Sequence, residues 1–284
     1  GDVHEGFVWA AVYDAPVDAR SDGQRPLAAA PYHIRLTQRL VTAITSQTGE
    51  GKLYEADLRL RPAGNDGPLA THLDYFSTYE RQSAWTWEHM ALTRARPISG
   101  PAALQERIRA LRDEVLRAER DPLRLLADVA GMRERIAKSN RTPQPWDVKH
   151  MRGGLIDVEF IAQYLILRHA HAHPEVIAVE TPEAFRRLAA AGVLPPAAAD
   201  DLVAAHALWL RTQQILRLTA DERFDAEQAP EALRELISRG AGCVDFADLS
   251  ERFAHYAERA RSLYEEIVAG PATEIADETT DRTE

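Results

Sequence analysis

The composition and charge of the chain bound what it can be. A length of 284 residues predicts about two domains, each large enough for its own core. Hydrophobic residues make up 45% and charged residues 27%, which is typical of globular proteins and not of disordered or collagen-like chains. Because the net charge is −10, duplex DNA and an anionic membrane are disfavoured as main partners.

Compartment is indicated by cysteine content and by the absence of targeting patterns. The single cysteine, Cys243, excludes an internal disulfide, is interpreted as a small buried apolar side chain, and fits a reducing compartment. No apolar run approaches the ~18 residues of a membrane span, and the N-terminal residues do not resemble a signal peptide. We therefore expect a cytoplasmic protein. The chain begins Gly1-Asp2 rather than with Met, which suggests a fragment, a processed product or a tag remnant.

The first part of the chain predicts mixed α and β structure. A short apolar run at residues 7–13 predicts a strand, and apolar residues at helical spacing over residues 32–48 predict a helix. Residues 54–61 alternate strictly between apolar and charged side chains, which predicts a half-buried strand with one charged face. A turn-rich segment follows this strand.

Helices are predicted from residue 75 onwards. The aromatic-rich stretch at residues 75–87, continuing towards Arg96, predicts helical segments whose aromatic side chains belong to the core. Two amphipathic helices follow, beginning at Pro101 and Pro122.

After a Pro-containing segment at residues 139–146, the sequence pattern predicts helices over almost all of the remaining chain. The stretch from Leu155 to about Ala172 is apolar over most of its circumference, which predicts a helix inside a bundle. The predicted fold class is thus α+β followed by an all-α bundle. Further helices are predicted after the one at residues 155–172, and they cover residues 181–192, 195–218, 230–239 and 246–268. The predicted domains are residues 1–140 and 141–269, followed by a disordered acidic tail at 270–284.

The charged face of the second predicted strand is the sharpest chemical signal. Two carboxylates and two guanidiniums follow one another at a period of two residues, in Glu55, Asp57, Arg59 and Arg61. Such a face is most often simply solvated. Carboxylates can also hold a divalent metal and arginines can hold phosphate oxygens, so both readings stay open.

A second signal precedes the buried helix. Gly153 and Gly154 would let the backbone approach a ligand, and the neighbouring Lys149 and Arg152 would add positive charge to a phosphate seat. The alternative is a tight turn in which the two glycines pack against a neighbouring helix. Asp157 in the first turn of that helix would then only complement the helix dipole.

Three stretches together resemble the family of glutamine synthetase adenylyltransferase/adenylyl-removing enzymes. They are Tyr-Glu-Ala-Asp-Leu-Arg-Leu-Arg-Pro-Ala-Gly-Asn from Tyr54, Ala-Trp-Thr-Trp-Glu-His from Ala84 running on to Arg94-Ala-Arg, and Lys-His-Met-Arg-Gly-Gly-Leu-Ile-Asp-Val-Glu-Phe from Lys149. Each motif alone is moderately specific, but their order matches the family. The likeness extends from about Tyr13 to about Val268.

The resemblance implies a nucleotidyltransferase-type mixed sheet with helices, N-terminally incomplete here, followed by a helical bundle. The motifs look most like the C-terminal half of the family, which adds AMP. That half transfers the AMP of ATP to a tyrosine of glutamine synthetase and so regulates nitrogen assimilation. Mg²⁺ and ATP are the implied cofactor and substrate, and glutamine synthetase and a PII signalling protein are the implied partners.

The resemblance also assigns roles to individual residues. It makes Asp57 the third metal-binding carboxylate, with Glu55 tuning the metal site and Arg59 and Arg61 holding the triphosphate. Lys149, Arg152, Gly153 and Gly154 would then face the nucleotide across the seam between the domains.

One departure from the family pattern concerns the first strand. That strand should carry Asp-x-Asp, but Gly6 and Val8 stand at those two positions. We therefore expect this chain alone to transfer AMP weakly or not at all. Two alternatives remain: a non-catalytic module that docks glutamine synthetase or a PII protein, and the phosphorolytic, adenylyl-removing half of the family.

Overall fold

The computed structural model describes residues 7–49, 51–52, 56–59, 61–140, 144–219 and 224–281. Contacts between Cα atoms divide the chain into two compact units. The first comprises Gly1–Ala91 and Arg96–Val115, and the second comprises Leu92–Ala95 and Leu116–Glu284. This grouping places the helix that begins at Pro122 with the later helices. The domain boundary between residues 140 and 141 stays a prediction.

Short strands form the β structure of the first unit. Strand β1 (Phe7–Val8) pairs in parallel with β5 (Ala56–Asp57), and β2 (Ala11–Tyr13) pairs in parallel with β6 (Ala70–His72). Strands β3 (Gln47–Thr48) and β4 (Gly51–Lys52) form a small antiparallel hairpin. Parallel pairing requires a long crossover, and helix α1 (Ala29–Thr45) lies in the connection from β2 to β6.

The predicted strands are shorter in the structure than in the sequence pattern. The first is interrupted at Trp9 and Ala10, and of the second only Ala56–Asp57 is strand among the described residues. Tyr54, Glu55 and Leu60 lie outside those residues. The hairpin β3–β4 and strand β6 have no counterpart in the prediction.

Helices complete the first unit, and Phe76 and Leu111 contribute to its buried core. The predicted aromatic helical stretch is split by a break at residues 83–85. Trp85 is 66% exposed and Tyr75 52% exposed, so the prediction that these aromatic side chains belong to the core is wrong for both. The helices are α2 (Leu73–Gln82), α3 (Thr86–Leu92) and α4 (Ala102–Arg117).

The second unit is a bundle of helices, as its sequence predicts. Asp121 caps its first helix, because its Oδ1 accepts the N–H groups of Leu123 at 2.9 Å and Arg124 at 3.0 Å. The helices are α5 (Pro122–Ser139), α6 (Leu155–His169), α7 (Thr181–Ala190), α8 (Pro196–Thr219), α9 (Glu231–Ala241), α10 (Phe246–Tyr264) and α11 (Gly270–Asp281).

The core of the bundle surrounds α6, which is buried on almost every side. Trp209 of α8 and Phe185 of α7 are fully buried beside it, and Cys243 is a buried free thiol, as predicted. In the part of the chain that the structure describes, no helix is both long and apolar enough to cross a bilayer.

The end of the chain differs from the prediction. Residues from Gly270 were expected to be a disordered tail, but α11 continues to Asp281 after a π-helical segment at Glu265–Ala269. Helix α11 packs against α5. This tertiary contact is not visible in the local composition from which the tail was predicted.

Candidate functional site

The charged residues that follow β5 form a close ion pair. Nε of Arg59 lies 3.0 Å from each carboxylate oxygen of Asp57, and Nη2 donates to Oδ2 at 2.6 Å. The backbone N–H of Arg59 also donates to Oδ1, at 2.9 Å. The pair lies at the surface of the first unit, with side chains 14% (Asp57) and 54% (Arg59) exposed.

This pairing sets the ionisation of both groups. Hydrogen bonds from Arg59 hold the pKa of Asp57 below its usual value, although partial burial opposes the shift. The same bonds raise the pKa of Arg59. Asp57 is therefore an ionised carboxylate whose cation can move aside into solvent.

Strand β1 places an apolar residue next to this carboxylate. Val8 and Asp57 are register partners in the parallel ladder, and the N–H of Trp9 donates to the carbonyl of Asp57 at 3.0 Å. Register partners in neighbouring strands present their side chains on the same face of the sheet. Val8 is 48% exposed, so the neighbour of Asp57 on this face is an accessible valine.

Arg61 does not share the face of Asp57 in the way that strict alternation predicts. It is buried, and its guanidinium donates to the carbonyls of Leu58 at 2.8 Å, Asn65 at 3.2 Å and Gly67 at 3.2 Å. Three backbone acceptors thus hold it inside the turn that follows β5. The role of Arg61 in holding triphosphate stays a prediction, and its guanidinium would have to leave these carbonyls to reach a phosphate.

The carboxylates described here do not fit the set that a two-ion Mg²⁺ site requires. The resemblance implies that three carboxylates hold two such ions. In the neighbouring strand, however, the residue beside Asp57 is Val8, which has no carboxylate. Glu55, the other predicted metal ligand, lies outside the described residues, as does Gly6. Within the ranges the structure covers, no three His, Cys, Asp or Glu side chains gather as a metal site.

In the second unit, the double glycine forms a tight packed turn. Gly153 has φ +76°, and a Cβ on it would lie 1.9 Å from the carbonyl oxygen of Ala257 on α10. The carbonyl of Gly153 accepts the indole N–H of Trp209 at 3.2 Å. The backbone approach that the glycines allow is therefore directed at a neighbouring helix.

The N–H groups of this turn are already engaged inside the protein. Gly153 donates to Oδ2 of Asp157 at 2.6 Å, and Gly154 donates to the carbonyl of Met151 at 3.0 Å. Leu155 donates to the carbonyl of Val148 at 2.7 Å. This geometry favours the tight-turn alternative. Phosphate binding by Gly153 and Gly154 stays a prediction, and it would require their N–H groups to exchange the partners that they have here.

A buried ion pair supports the same turn. Arg133 of α5 donates from Nε to Oδ1 of Asp157 on α6, and both side chains are only 1% exposed. Nη2 of Arg133 donates to the carbonyls of His150 at 3.1 Å and Met151 at 3.3 Å. Asp157 is thus a partner of the turn and of α5, not only a complement to the helix dipole.

Lys149 lies in a partly buried cluster of mixed charge. Burial lowers its pKa, opposed by attraction to Glu159 and Asp147. Glu159 pairs with Arg94 at 2.6 Å, and burial raises the pKa of Glu159 against the effect of both cations. Arg94 belongs to the second motif of the resemblance, but no role was predicted for it.

Arg152 is held at the surface of the bundle. Its Nη2 lies 2.6 Å from a carboxylate oxygen of Glu134, with the two side chains 45% and 52% exposed. This hydrogen bond lowers the pKa of Glu134 and raises that of Arg152. Exposed pairs of this kind are weak, so an incoming phosphate can compete for the guanidinium.

Sequence reasoning missed a buried carboxylate in the first unit. Glu80 is 5% exposed, and its Oε2 is buried without a hydrogen-bond partner among the described residues. The buried Glu88 accepts the hydroxyl of Tyr79 at 2.9 Å. Burial, and then the charge of Glu88, raise the pKa of Glu80 to about 7. No sequence signal separates these residues from an ordinary solvated helix face.

Two family models match consecutive parts of the chain. Residues 9–111 match the model described as glutamate-ammonia ligase adenylyltransferase, and residues 124–268, about half of the chain, match the one described as GlnD PII-uridylyltransferase. Both descriptions are of nucleotidyltransferases, and the boundary between the two matches falls between the two structural units.

Curated relatives narrow the class to one family. The chain is 45% identical to the bifunctional glutamine synthetase adenylyltransferase/adenylyl-removing enzyme of Xanthobacter autotrophicus, 43% identical to that of Bradyrhizobium sp. strain BTAi1 and 42% identical to that of Brucella suis biovar 1, in each case over 90% of the chain. The chain belongs to this family, as the three motifs predicted. It spans 26% of the length of each of these relatives.

Proposed function

We propose that this chain is the adenylyl-adding, C-terminal part of a glutamine synthetase adenylyltransferase, and that the whole enzyme transfers AMP from ATP to a tyrosine of glutamine synthetase. Family membership and the α+β unit followed by a helical bundle support this proposal. The nucleotidyltransferase-type sheet is part of the same proposal, supported by parallel strands joined through α1.

The proposed reaction makes one bond and breaks one. The tyrosine oxygen attacks the α-phosphorus of ATP, the bond from that phosphorus to the oxygen bridging to the β-phosphorus breaks, and pyrophosphate leaves. The phenolic proton passes to solvent. Mg²⁺ supplies charge neutralisation for the phosphates in such transfers. Lys149 and Arg152 of the second unit are the proposed phosphate contacts.

We further propose that this chain alone transfers AMP weakly or not at all. The observation that carries this is the register of β1 and β5, which sets Val8 beside Asp57. Asp57 is the one predicted metal ligand among the described residues, and a single carboxylate that is already paired with Arg59 can bind an ion only weakly.

The test restores the two carboxylates that the family pattern carries. Wild type, Gly6→Asp/Val8→Asp, and the same double variant with Asp57→Asn are each incubated with α-labelled ATP, Mg²⁺ and unmodified glutamine synthetase. We expect label near background for wild type, Mg²⁺-dependent label with pyrophosphate release for the double variant, and loss of that label with Asp57→Asn. Asp14→Asn in the double variant is the matched control, because Asp14 pairs with Arg107 instead.

Other outcomes separate the alternatives. Strong Mg²⁺-dependent labelling by wild type, abolished by Asp57→Asn alone, contradicts the expected weakness. Phosphate-dependent release of ADP from adenylylated glutamine synthetase by the restored variant identifies the adenylyl-removing half instead.

A docking module without catalytic activity is the second candidate. It is favoured by the position of Asp57, which among the described residues has Val8 and not a second carboxylate as its strand neighbour. In that case the helical unit binds glutamine synthetase or a PII protein without chemistry. Binding of glutamine synthetase that is unchanged by Asp57→Ala and by removal of Mg²⁺, together with no labelling by the restored variant, supports the module. Wild-type ATP affinity that depends on Asp57 and Mg²⁺ contradicts it.

A further inference from the structure

The segment at residues 147–154, here termed the RGG loop, has little regular structure of its own but is held from several sides. Oδ2 of Asp157 accepts the N–H of Gly153 at 2.6 Å, and Arg133 donates to the carbonyls of His150 and Met151 at 3.1 and 3.3 Å. Three backbone groups of the loop are therefore joined through one ion pair. The loop's conformation is defined by two side chains that lie outside it.

Stability alone is a poor explanation for this ion pair. Both side chains are 1% exposed, so each charge has lost its hydration, and apolar pairs of similar volume are often equally or more stabilising. Nη1 of Arg133 is buried with no hydrogen-bond partner in the described part of the chain. Tyr264 lies close enough for the charge of Asp157 to affect its pKa, and its buried hydroxyl likewise has none there.

The hydrogen-bond geometry accounts for the pair better. Arg133 and Asp157 are 24 residues apart, on α5 and α6, and together they fix backbone atoms of His150, Met151 and Gly153. A hydrophobic pair would fill the same space but would leave these backbone groups without partners. The pair therefore specifies the position of the loop.

The side chains that the loop carries are cationic. Lys149 precedes the two fixed carbonyls and lies near Glu159 and Asp147, while Arg152 lies between them and Gly153. A shift of the backbone at residues 150–153 would displace both cations together. Fixed placement matters for phosphate recognition because charge-assisted hydrogen bonds depend on distance and direction.

We propose that Arg133 and Asp157 are positioning residues, which hold the RGG loop so that Lys149 and Arg152 keep their placement for the phosphates of ATP. This inference rests on the proposed function for the phosphate contacts. Because both side chains are buried, the pair would act on nucleotide binding through the loop and not by contact with the nucleotide.

The decisive variant removes both charges at once. Arg133→Met/Asp157→Leu leaves no unpaired buried charge but removes the partners of three backbone groups, so we expect a Tm below that of wild type and clearly above that of Arg133→Met alone. Amide hydrogen exchange at residues 149–154 should nevertheless become faster by about tenfold or more, because the loop has lost its acceptor and donors. The matched control is Arg259→Met/Asp201→Leu, an ion pair of 2.8 Å between α10 and α8 whose hydrogen bonds, in the described part of the chain, join these two side chains only.

ATP affinity, measured by calorimetry with MgATP, provides the functional readout. We expect the Arg133→Met/Asp157→Leu variant to bind about tenfold more weakly, a loss comparable to one charge-assisted hydrogen bond, and the control pair to bind as wild type does. Arg133→Lys keeps the charge but lacks the forked donors, so it should fall between wild type and the double variant. Lys149→Ala in the wild-type background should weaken binding directly.

The remaining outcomes separate this inference from the function on which it rests. If the double variant keeps wild-type amide protection, or if its Tm falls as far as that of Arg133→Met alone, the positioning role is wrong. If Lys149→Ala weakens ATP binding while the double variant does not, the inference alone is overturned. If neither Lys149→Ala nor Arg152→Ala changes ATP affinity, the proposed phosphate contacts are wrong.

Discussion

The two units each contain an Asp–Arg pair, but the pairs lie in opposite environments. Asp57 and Arg59 are 14% and 54% exposed and two residues apart, whereas Arg133 and Asp157 are both 1% exposed and 24 residues apart. Arg59 can release Asp57 into water or to another partner at little cost. Neither member of the buried pair can do so, because it would leave a desolvated charge behind. The first arrangement suits exchange with a ligand, and the second suits a fixed framework.

Removing the cation of the buried pair should have the largest effect on stability. Arg133→Met leaves the Asp157 carboxylate buried beside the N–H of Gly153 alone, so we expect the free energy of unfolding to fall by about 3–5 kcal/mol. Urea unfolding at pH 7 measures this loss. A change below about 1 kcal/mol would show that the two pairs do not differ as described.

Adding a methyl group to the RGG loop should have the next largest effect. Gly153→Ala requires φ +76° of a residue with a Cβ and places that atom 1.9 Å from the carbonyl oxygen of Ala257, so we expect a loss of about 3 kcal/mol. Gly192→Ala is the matched control. Its φ is +73° with no atom within 4 Å of the new Cβ, so it should cost about 1 kcal/mol.

Equal losses of stability in Gly153→Ala and Gly192→Ala would mean that backbone strain accounts for both. In that case α10 would move to accommodate the new methyl group at little cost. A thermal melt of the two variants beside wild type is sufficient to compare them.

Glu80 is a third kind of carboxylate, which is buried and to which no cation is bonded among the described residues. Glu88 faces it with the same charge, Tyr79 lies beside both, and Nε2 of His89 is 3.9 Å from Oε2 of Glu80. The folded protein therefore binds a proton at Glu80 more tightly than the unfolded chain does, with a pKa of about 7 against 4.5. The resulting stability is fully present below pH 4.5 and is lost as the pH rises to about 7.

Glu80→Gln should remove this pH dependence. Between pH 5 and pH 8 we expect wild type to lose about 2 kcal/mol more stability than the variant does. Urea unfolding at the two pH values measures the difference. Glu114→Gln is the control, because Glu114 is exposed and paired with Arg81, which lowers its pKa away from this window. Parallel pH profiles for wild type and Glu80→Gln would contradict the account of Glu80.

Breaking the surface pair should have the smallest effect. Arg59→Met removes three side-chain hydrogen bonds to Asp57, yet we expect the free energy of unfolding to change by less than about 1 kcal/mol because water replaces them. The pKa of Asp57, followed by NMR titration, should rise towards its usual value. An unchanged pKa would mean that Arg59 does not govern this carboxylate.

The helices could be predicted because their signals are local. Helix α5 begins at Pro122 after a capping Asp121, as its sequence indicates, and α6 is recognisable from its apolar circumference. The strands were harder. The alternation at residues 54–61 predicts a strand that continues to Arg61, but β5 ends at Asp57 because the chain then enters the turn in which Arg61 is held.

The site depends on contacts between residues that are distant in the sequence. Gly153 lies in a packed turn because its backbone abuts Ala257, about a hundred residues later in the chain, and no local pattern reveals this contact. The local sequence indicates only a helix-dipole role for Asp157, because its partner Arg133 lies on another helix. The proximity of Val8 to Asp57 follows from strand register, which the sequence does not specify for strands this short.

Among the described residues, Asp57 has a valine and not a second carboxylate beside it in the neighbouring strand, because Val8 is its register partner. The most direct test is a Mn²⁺ titration of wild type, Val8→Asp, and Val8→Asp/Asp57→Asn, followed by electron paramagnetic resonance of the free ion. We predict weak binding by wild type, binding at least about tenfold tighter by Val8→Asp, and loss of that gain in the double variant. Tight binding by wild type that depends on Asp57, or no gain from Val8→Asp, would contradict the account.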